Sequence, residues 1–405
     1  MTRRHRQILW WIIGFGFAAR TAIAFTTVGI VFDTDAFRAV GLAVNHDVLH
    51  VYSIVNNKTG LPGGLDLYRW PYPPGLFPWA AATVSLSKLG VPFHGLLHLA
   101  PIAADAVIAW LVQDVLGRRG FSDRARLTGA SLVALGPTFV LVSGYQGQVD
   151  SVAILPGLAA LRVWGTSAAR HRAVKAGLLI GIGACVKTVP VLTLFALLPS
   201  IRGAREAIVL VAAAIAVPLV AIMPFLAADP SSVVHALRYV GGPGLAGITL
   251  IVQPKLAISF ITERPMALSH AAYWLYRHAG EILLVVLFAL EVLLLRFRPR
   301  AVQAAVVVWL CAYAFNVNFA FQYAVWGLPF FLVAGHFRAA FIMQVGLVAP
   351  GLILYLRPWH HGAVAIAYLV IMQGVWLAWL AAIVISGRQI VRARSPNDSR
   401  WIAFG

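Results

Sequence analysis

The chain is short of charge: Asp, Glu, Lys and Arg make up only 11% of its 405 residues, against about a quarter in soluble domains. That scarcity excludes an ordinary soluble globular protein. Acidic residues are rarer still, 14 against 32 basic ones, for a formal net charge of +18. Cysteine is almost absent. Cys185 and Cys311 both lie in apolar runs, without the spacing of a metal or redox site. Period-two alternation is lacking, which excludes a transmembrane barrel, and no internal repeat marks a chain of duplicated halves.

What is present is apolar. Sixty per cent of the residues are hydrophobic, the mean hydropathy is +0.82, and runs of about 17–25 residues, each able to cross ~30 Å of hydrocarbon as a helix, recur along the sequence. The expected fold class is therefore all-α, a polytopic transmembrane helical bundle of about twelve spans. Residues 1–387 form its single domain, and 388–405 form a basic cytoplasmic tail. The first run, from Ile8 to Phe32, follows Arg3, Arg4 and Arg6. It is too long for a secretory signal and shows no small-residue cleavage site, so it reads as a membrane helix.

The placement of the positive charge decides the partner. Arginines cluster in short turns, among them Arg118 to Arg126, Arg202 with Arg205, and Arg296 to Arg300. Such turns mark the cytoplasmic side of a bilayer and argue against nucleic acid. With the N-terminus inside, residues 32–95 form a first outer loop, in which Pro74 to Leu89 is an interfacial or re-entrant helix. Residues 227–278 form a second outer segment, and five further crossings bring the C-terminus inside. The excess of arginine over lysine, with abundant valine and alanine, suits a GC-rich bacterial genome and a plasma membrane.

Polar residues stand out against this background. Asp33 and Asp35, two apart in the first outer loop, suit a general base and a residue that orients it. Alternatively, either one caps a helix through Ala36 to Val44. Arg69, beside Trp70, suits a phosphate or a sugar face, while Tyr72-Pro73-Pro74 fixes the entry to the next helix. Gln148 and Asp150 sit at an outer turn, where capping of the helix from Ser151 is the competing role for Asp150. Lys187 lies in an apolar segment and needs a partner, for which Asp150 and a lipid phosphate are the candidates. Arg20 and Asp105 read as a structural ion pair within the membrane. Asn316, Asn318, Gln322 and Tyr323, set among aromatics, suit a platform for a sugar or a lipid headgroup; an interfacial aromatic belt explains the aromatics equally well, but not the amides.

In order along the chain these pieces resemble the GT-C integral-membrane glycosyltransferases. The closest resemblance is to the first mannosyltransferase of glycosylphosphatidylinositol synthesis and its bacterial relatives that use polyprenol-phosphate sugars. Asp33-Thr34-Asp35 resembles the family's Asp-x-Asp, and Tyr68-Arg69 with Tyr72-Pro73-Pro74 resembles the stretch that closes its first outer loop. Lys187-x-x-Pro190 before Leu198-Pro199, and Phe315-Asn316 before Gln322-Tyr323, Trp326 and Pro329, are similar to two later blocks. Val317 stands where the family has lysine.

The resemblance implies inverting transfer of a sugar, mannose by analogy, outside the cytoplasm. The donor is a polyprenyl-phosphate sugar and the acceptor a hydroxyl of a glycolipid or glycan. It implies Asp35 or Asp33 as base, with Asp35 preferred as the better fixed by the helix that follows. Lys187, Arg69, Arg238 and Lys255 would hold the donor phosphate, while Tyr72, Gln148, Asp150, Asn316, Gln322 and Tyr323 would contact sugar or acceptor. A polyprenyl tail needs an apolar groove, expected at the broken segment near Pro190. No metal and no cofactor are expected. The competing class is a transporter or flippase for a lipid-linked sugar.

Overall fold

The computed structural model describes residues 1–63, 65, 70–166, 169–239, 242–264, 266–356 and 361–392. Among them every regular element is helical. The chain opens with α1 (Arg3–Thr26), and the region expected as the first outer loop holds α2 (Val31–His46), α3 (Val51–Asn57) and α4 (Phe77–Ser87). Next come α5 (Phe93–Arg118), α6 (Asp123–Ala134) and α7 (Pro137–Phe139), the last continued by a π-helical turn at Val140–Gln146. Three shorter helices, α8 (Asp150–Thr166), α9 (Ala169–Ala184) and α10 (Leu192–Leu197), lead to α11 (Ala204–Ala228). The region expected as the second outer segment carries α12 (Pro230–Leu237), α13 (Ile248–Val252), α14 (Lys255–Ile261) and α15 (His270–Arg277). Five helices complete the chain: α16 (Ala279–Phe297), α17 (Ala301–Phe315), α18 (Ala324–Val333), α19 (Phe337–Leu356) and α20 (Gly362–Arg392).

Six of the described helical stretches are long and apolar enough to cross a membrane, or seven if α15 and α16, bent by 61°, count as one span. The remaining apolar runs expected as crossings are shorter. α8 has 17 residues, α9 has 16 and α17 has 15, roughly 22–26 Å at the rise of an α-helix against ~30 Å of hydrocarbon. In the segment after α9, proline breaks the helix outright. Pro190 and Pro199 break Val189–Ser200 into turns of 3-10 helix around α10, because proline lacks the N–H that would continue the ladder.

One expectation about α2 is corrected. Asp33 and Asp35 lie inside a helix that begins at Val31, not in a loop before one, and no side chain caps that end. Neither acid is therefore a cap.

Two apolar cores hold the elements. The larger runs through the bundle. The smaller gathers α2, α3, α4 and α12 around Trp70, where Phe37 meets the indole edge-on at 5.0 Å and Tyr72 at 5.2 Å. The basic turns collect at one end. There His5 pairs with Asp123 at 3.3 Å, Arg118 and Arg162 share Asp114 at 2.8 and 2.6 Å, and Arg172 meets Glu206 at 2.5 Å. Within the bundle Arg20 and Asp105 form the expected ion pair, 3.5 Å apart and almost fully buried. Arg20 also donates to the Val133 carbonyl at 2.6 Å, and Ser151 donates to Asp105 at 2.5 Å.

Candidate functional site

Four segments distant in sequence meet beside Asp33 of α2 at one polar cluster. The turn after the π-helical segment is made possible by Gly147, whose φ of +79° suits glycine. The N–H groups of Gly147 and Gln148 both return to the Val142 carbonyl. That reversal sets Gln146 and Gln148 on either side of the glycine and puts Asp150 at the start of α8. The second segment is the end of α9, where the chain leaves the helix at Ala184 and carries Lys187 before Pro190. Third is the turn at Pro74–Leu76, docked by a bond from the Gly75 N–H to the Cys185 carbonyl at 2.8 Å. The fourth is the Phe321–Tyr323 turn into α18.

Lys187 is 4% exposed and Asp150 fully buried. The Lys187 ammonium donates to Asp150 Oδ2 at 2.9 Å and to Gln148 Oε1 at 3.2 Å, and it lies 4.8 Å from the centre of the Tyr72 ring. Trp326 Nε1 donates to the other Asp150 oxygen at 2.5 Å. Both oxygens thus accept from side chains, so Asp150 is the anchor of the cluster and not the cap of α8. Asp33 accepts from Gln146 Nε2 at 2.9 Å, and Gln146 in turn accepts from the Tyr355 hydroxyl. Burial pushes the Asp33 carboxyl above its ordinary range, while hydrogen bonds from Gln146 and Gln148 and the charge of Lys187 pull it back. Gln148, hydrogen-bonded to Lys187, thus lies close to both Asp33 and the ammonium. Burial, and then the charges of Asp150 and Asp33, hold the Tyr72 phenol well above its usual range, so it stays a proton donor.

Beside the cluster is a cavity of about 420 Å3. Its walls include Arg238, Tyr239, Arg277, Asn316, Asn318 and Tyr323, with Trp326. Tyr323 stacks on Trp326 with 3.8 Å between ring centres, which joins the cavity to the Asp150 anchor. A second, apolar cavity of about 320 Å3 shares Leu283, Asn316 and Trp326 with the first. It runs between Leu284 and Leu287 of α16 and the broken segment at Val189, Val191 and Leu192. Polar and apolar spaces thus adjoin along one wall. Among the described residues no group of three or more His, Cys, Asp or Glu side chains could hold a metal ion.

The candidates drawn from the sequence divide accordingly. Asp33, Tyr72, Gln148, Asp150 and Lys187 come together, and Arg238, Asn316 and Tyr323 line the cavity. Asp35 is half-buried in α2, and two residues along a helix turn it roughly 200° from Asp33. The ground for preferring Asp35, that it stands just before the helix, is gone. Lys255 is exposed at the start of α14, and neither it nor Gln322 lines the cavity. Arg69, with Tyr68, lies outside the described residues, as does the tail beyond Arg392. Sequence reasoning did not single out Gln146, Tyr355 or Arg277 as site residues. Gln146, one glycine away from Gln148, carried the only visible signal.

No protein-family model matches the chain, and no curated protein matches it either.

Proposed function

We propose that the chain is an inverting glycosyltransferase of the GT-C kind in a bacterial plasma membrane. It would move a sugar, mannose by analogy, from a polyprenyl-phosphate donor to the hydroxyl of a glycolipid or glycan on the extracytoplasmic side. The twelve-span arrangement belongs to this reading, with the shorter helices crossing inside the bundle. The observation that carries it is the junction of three features: a half-buried carboxylate, a cavity lined by two arginines with one acid, Glu281, and an apolar groove at a broken helix. Asp33, Arg238 with Arg277, and Val189–Leu192 supply them.

Each feature answers a need of the reaction. The acceptor oxygen attacks the anomeric carbon on the face opposite the leaving group, and the bond to the donor phosphate oxygen breaks. The hydroxyl proton passes to Asp33, whose carboxyl group is made more basic than an ordinary carboxylate by burial. The leaving lipid phosphate takes the bonding pair and a second negative charge, which Lys187, Arg238 and Arg277 would stabilise. Tyr72 and Asn316 would contact the sugar hydroxyls, and the prenyl chain would lie in the groove along α16.

A lipid-linked-sugar flippase is the second reading, favoured by the buried charge pair of Arg20 and Asp105. That pair is tied down by Val133 and Ser151, which suits a fixed structural role better than a moving one. The deciding experiment is transfer of labelled mannose from polyprenyl-phosphate-mannose in membranes carrying the wild type or Asp33→Asn. Transfer that falls at least ~10²-fold in the variant supports the enzyme and the base. Wild-type membranes that transfer no sugar from any lipid-phosphate donor, but move the donor across the bilayer, overturn it.

A further inference from the structure

Away from this site, a cavity of about 620 Å3 follows the crevice between α19 and α20, backed by Val306 and Leu310 of α17 and Phe331 of α18. Its wall on α20 extends from Ile371 to Gln389, roughly 27 Å at the rise of an α-helix. Small residues make the space: Ala339 and Gly346 on α19 face Gly374, Ala378 and Ala382 on α20. Ile342, Gly374 and Ala378 are exposed, so the groove opens sideways along its length.

The groove is polar at one end. His336, Ser386 and Gln389 lie where α19 begins and α20 ends, and there the groove meets a further cavity of about 400 Å3 that includes His336 and Arg338. Arg392, three residues past Gln389, continues the same face of α20, and the charge of Arg119 reaches His336. Among the described residues no acid lines either cavity. Deeper in the groove the wall is formed by Trp379, 4% exposed, whose ring packs on Tyr313 and Phe319 behind it.

We propose that this groove holds one anionic glycerophospholipid of the surrounding bilayer, with an acyl chain along α19 and α20 and its phosphate at Arg338 and Arg392. The proposal rests on the membrane reading of the helices and is independent of sugar transfer. An extended chain fills the space that the small residues leave. The arginines meet the phosphate with fork geometry.

The test is native mass spectrometry of the full chain, delipidated in detergent and titrated with phosphatidylglycerol or phosphatidylcholine of identical acyl chains. One phosphatidylglycerol should be retained, preferred about fivefold or more, the scale of one arginine near a phosphate. Gly374→Leu should abolish retention. Nothing lies within 4 Å of a Cβ added at Gly374, and Gly374 lines the groove, so the leucine adds bulk there without a backbone clash. Gly387→Leu, equally open but outside the lining, should leave retention intact and controls for added bulk. Arg338→Ala should reduce the preference between headgroups. Equal retention by the two glycine variants, or equal binding of both lipids by the wild type, would overturn the proposal.

Discussion

Lys187 and Asp150 meet at 2.9 Å inside the protein, one at the broken end of α9 and the other at the start of α8. Trp326 satisfies the second carboxylate oxygen from a third direction. The pair is therefore a junction of three chain segments as well as a charge pair. Its cation is held dry and turned towards Gln148 and the Tyr72 ring, the side on which Asp33 lies.

Removing one partner should cost far more than removing both charges. Lys187→Met leaves a buried carboxylate without its cation, a loss of about 3–5 kcal/mol where such pairs have been broken. Lys187→Met with Asp150→Asn should recover much of that loss, a non-additivity expected of groups in contact. Thermal unfolding of the purified variants in detergent measures it. Additive losses would mean that the two charges do not depend on each other.

The Asp33 carboxyl gives transfer a recognisable pH dependence. A base works ionised, and burial holds this one above the ordinary carboxylate range, so turnover should fall as pH drops through that raised value. Gln146→Ala removes a donor that favours the ionised form and should move the acid limb to higher pH. Asp33→Asn should abolish the limb together with ~10²- to 10⁴-fold of the rate. A pH–rate profile of the three proteins decides the point. An unshifted limb in Gln146→Ala would remove Asp33 from the base role.

How far the sequence discloses this arrangement depends on the kind of signal each residue leaves. The helices are legible because lipid-facing and buried surfaces both demand continuous apolar runs, and the prolines that break them are visible. Lys187 and Asp150 are legible as charges in the wrong surroundings. The start of α2 was hidden because Ile30 precedes it without a capping side chain, so the acids looked like loop residues. Tyr355 was hidden for another reason. An aromatic near the end of an apolar helix is ordinary, and only the tertiary fold brings its hydroxyl to Gln146. Arg277 was hidden because it is an exposed arginine at the end of a short helix, an ordinary place for one, and only the tertiary fold brings it beside Arg238 at the cavity.

Arg277 should matter to the leaving group and not to folding. It lines the cavity at the end of α15, together with Arg238, Asn316 and Tyr323. Arg277→Gln should lower kcat/KM for a polyprenyl-phosphate donor about 10- to 10²-fold, the scale of one hydrogen bond to a charged group. Unfolding temperature should stay near that of the wild type. If kcat/KM is unchanged, the phosphate does not occupy this cavity.

Gly75 tests whether the Tyr72 stretch is docked by backbone contact. A Cβ there would stand 2.5 Å from the Cys185 carbonyl oxygen and 2.7 Å from its carbon, on backbone that cannot rotate aside. Gly75→Ala should therefore push the Pro74–Leu76 turn off the end of α9, weaken the bond from the Gly75 N–H, and carry Tyr72 away from Lys187. The expected loss is about 1–3 kcal/mol, as for other overpacked sites, with a drop in transfer that the milder Tyr72→Phe does not reproduce, because phenylalanine keeps a ring over the ammonium. Thermal unfolding and donor turnover of the two variants, measured side by side, separate loss of docking from loss of the hydroxyl. Equal effects from both would show that the phenol oxygen, not the docking of the turn, is what the site requires of this segment.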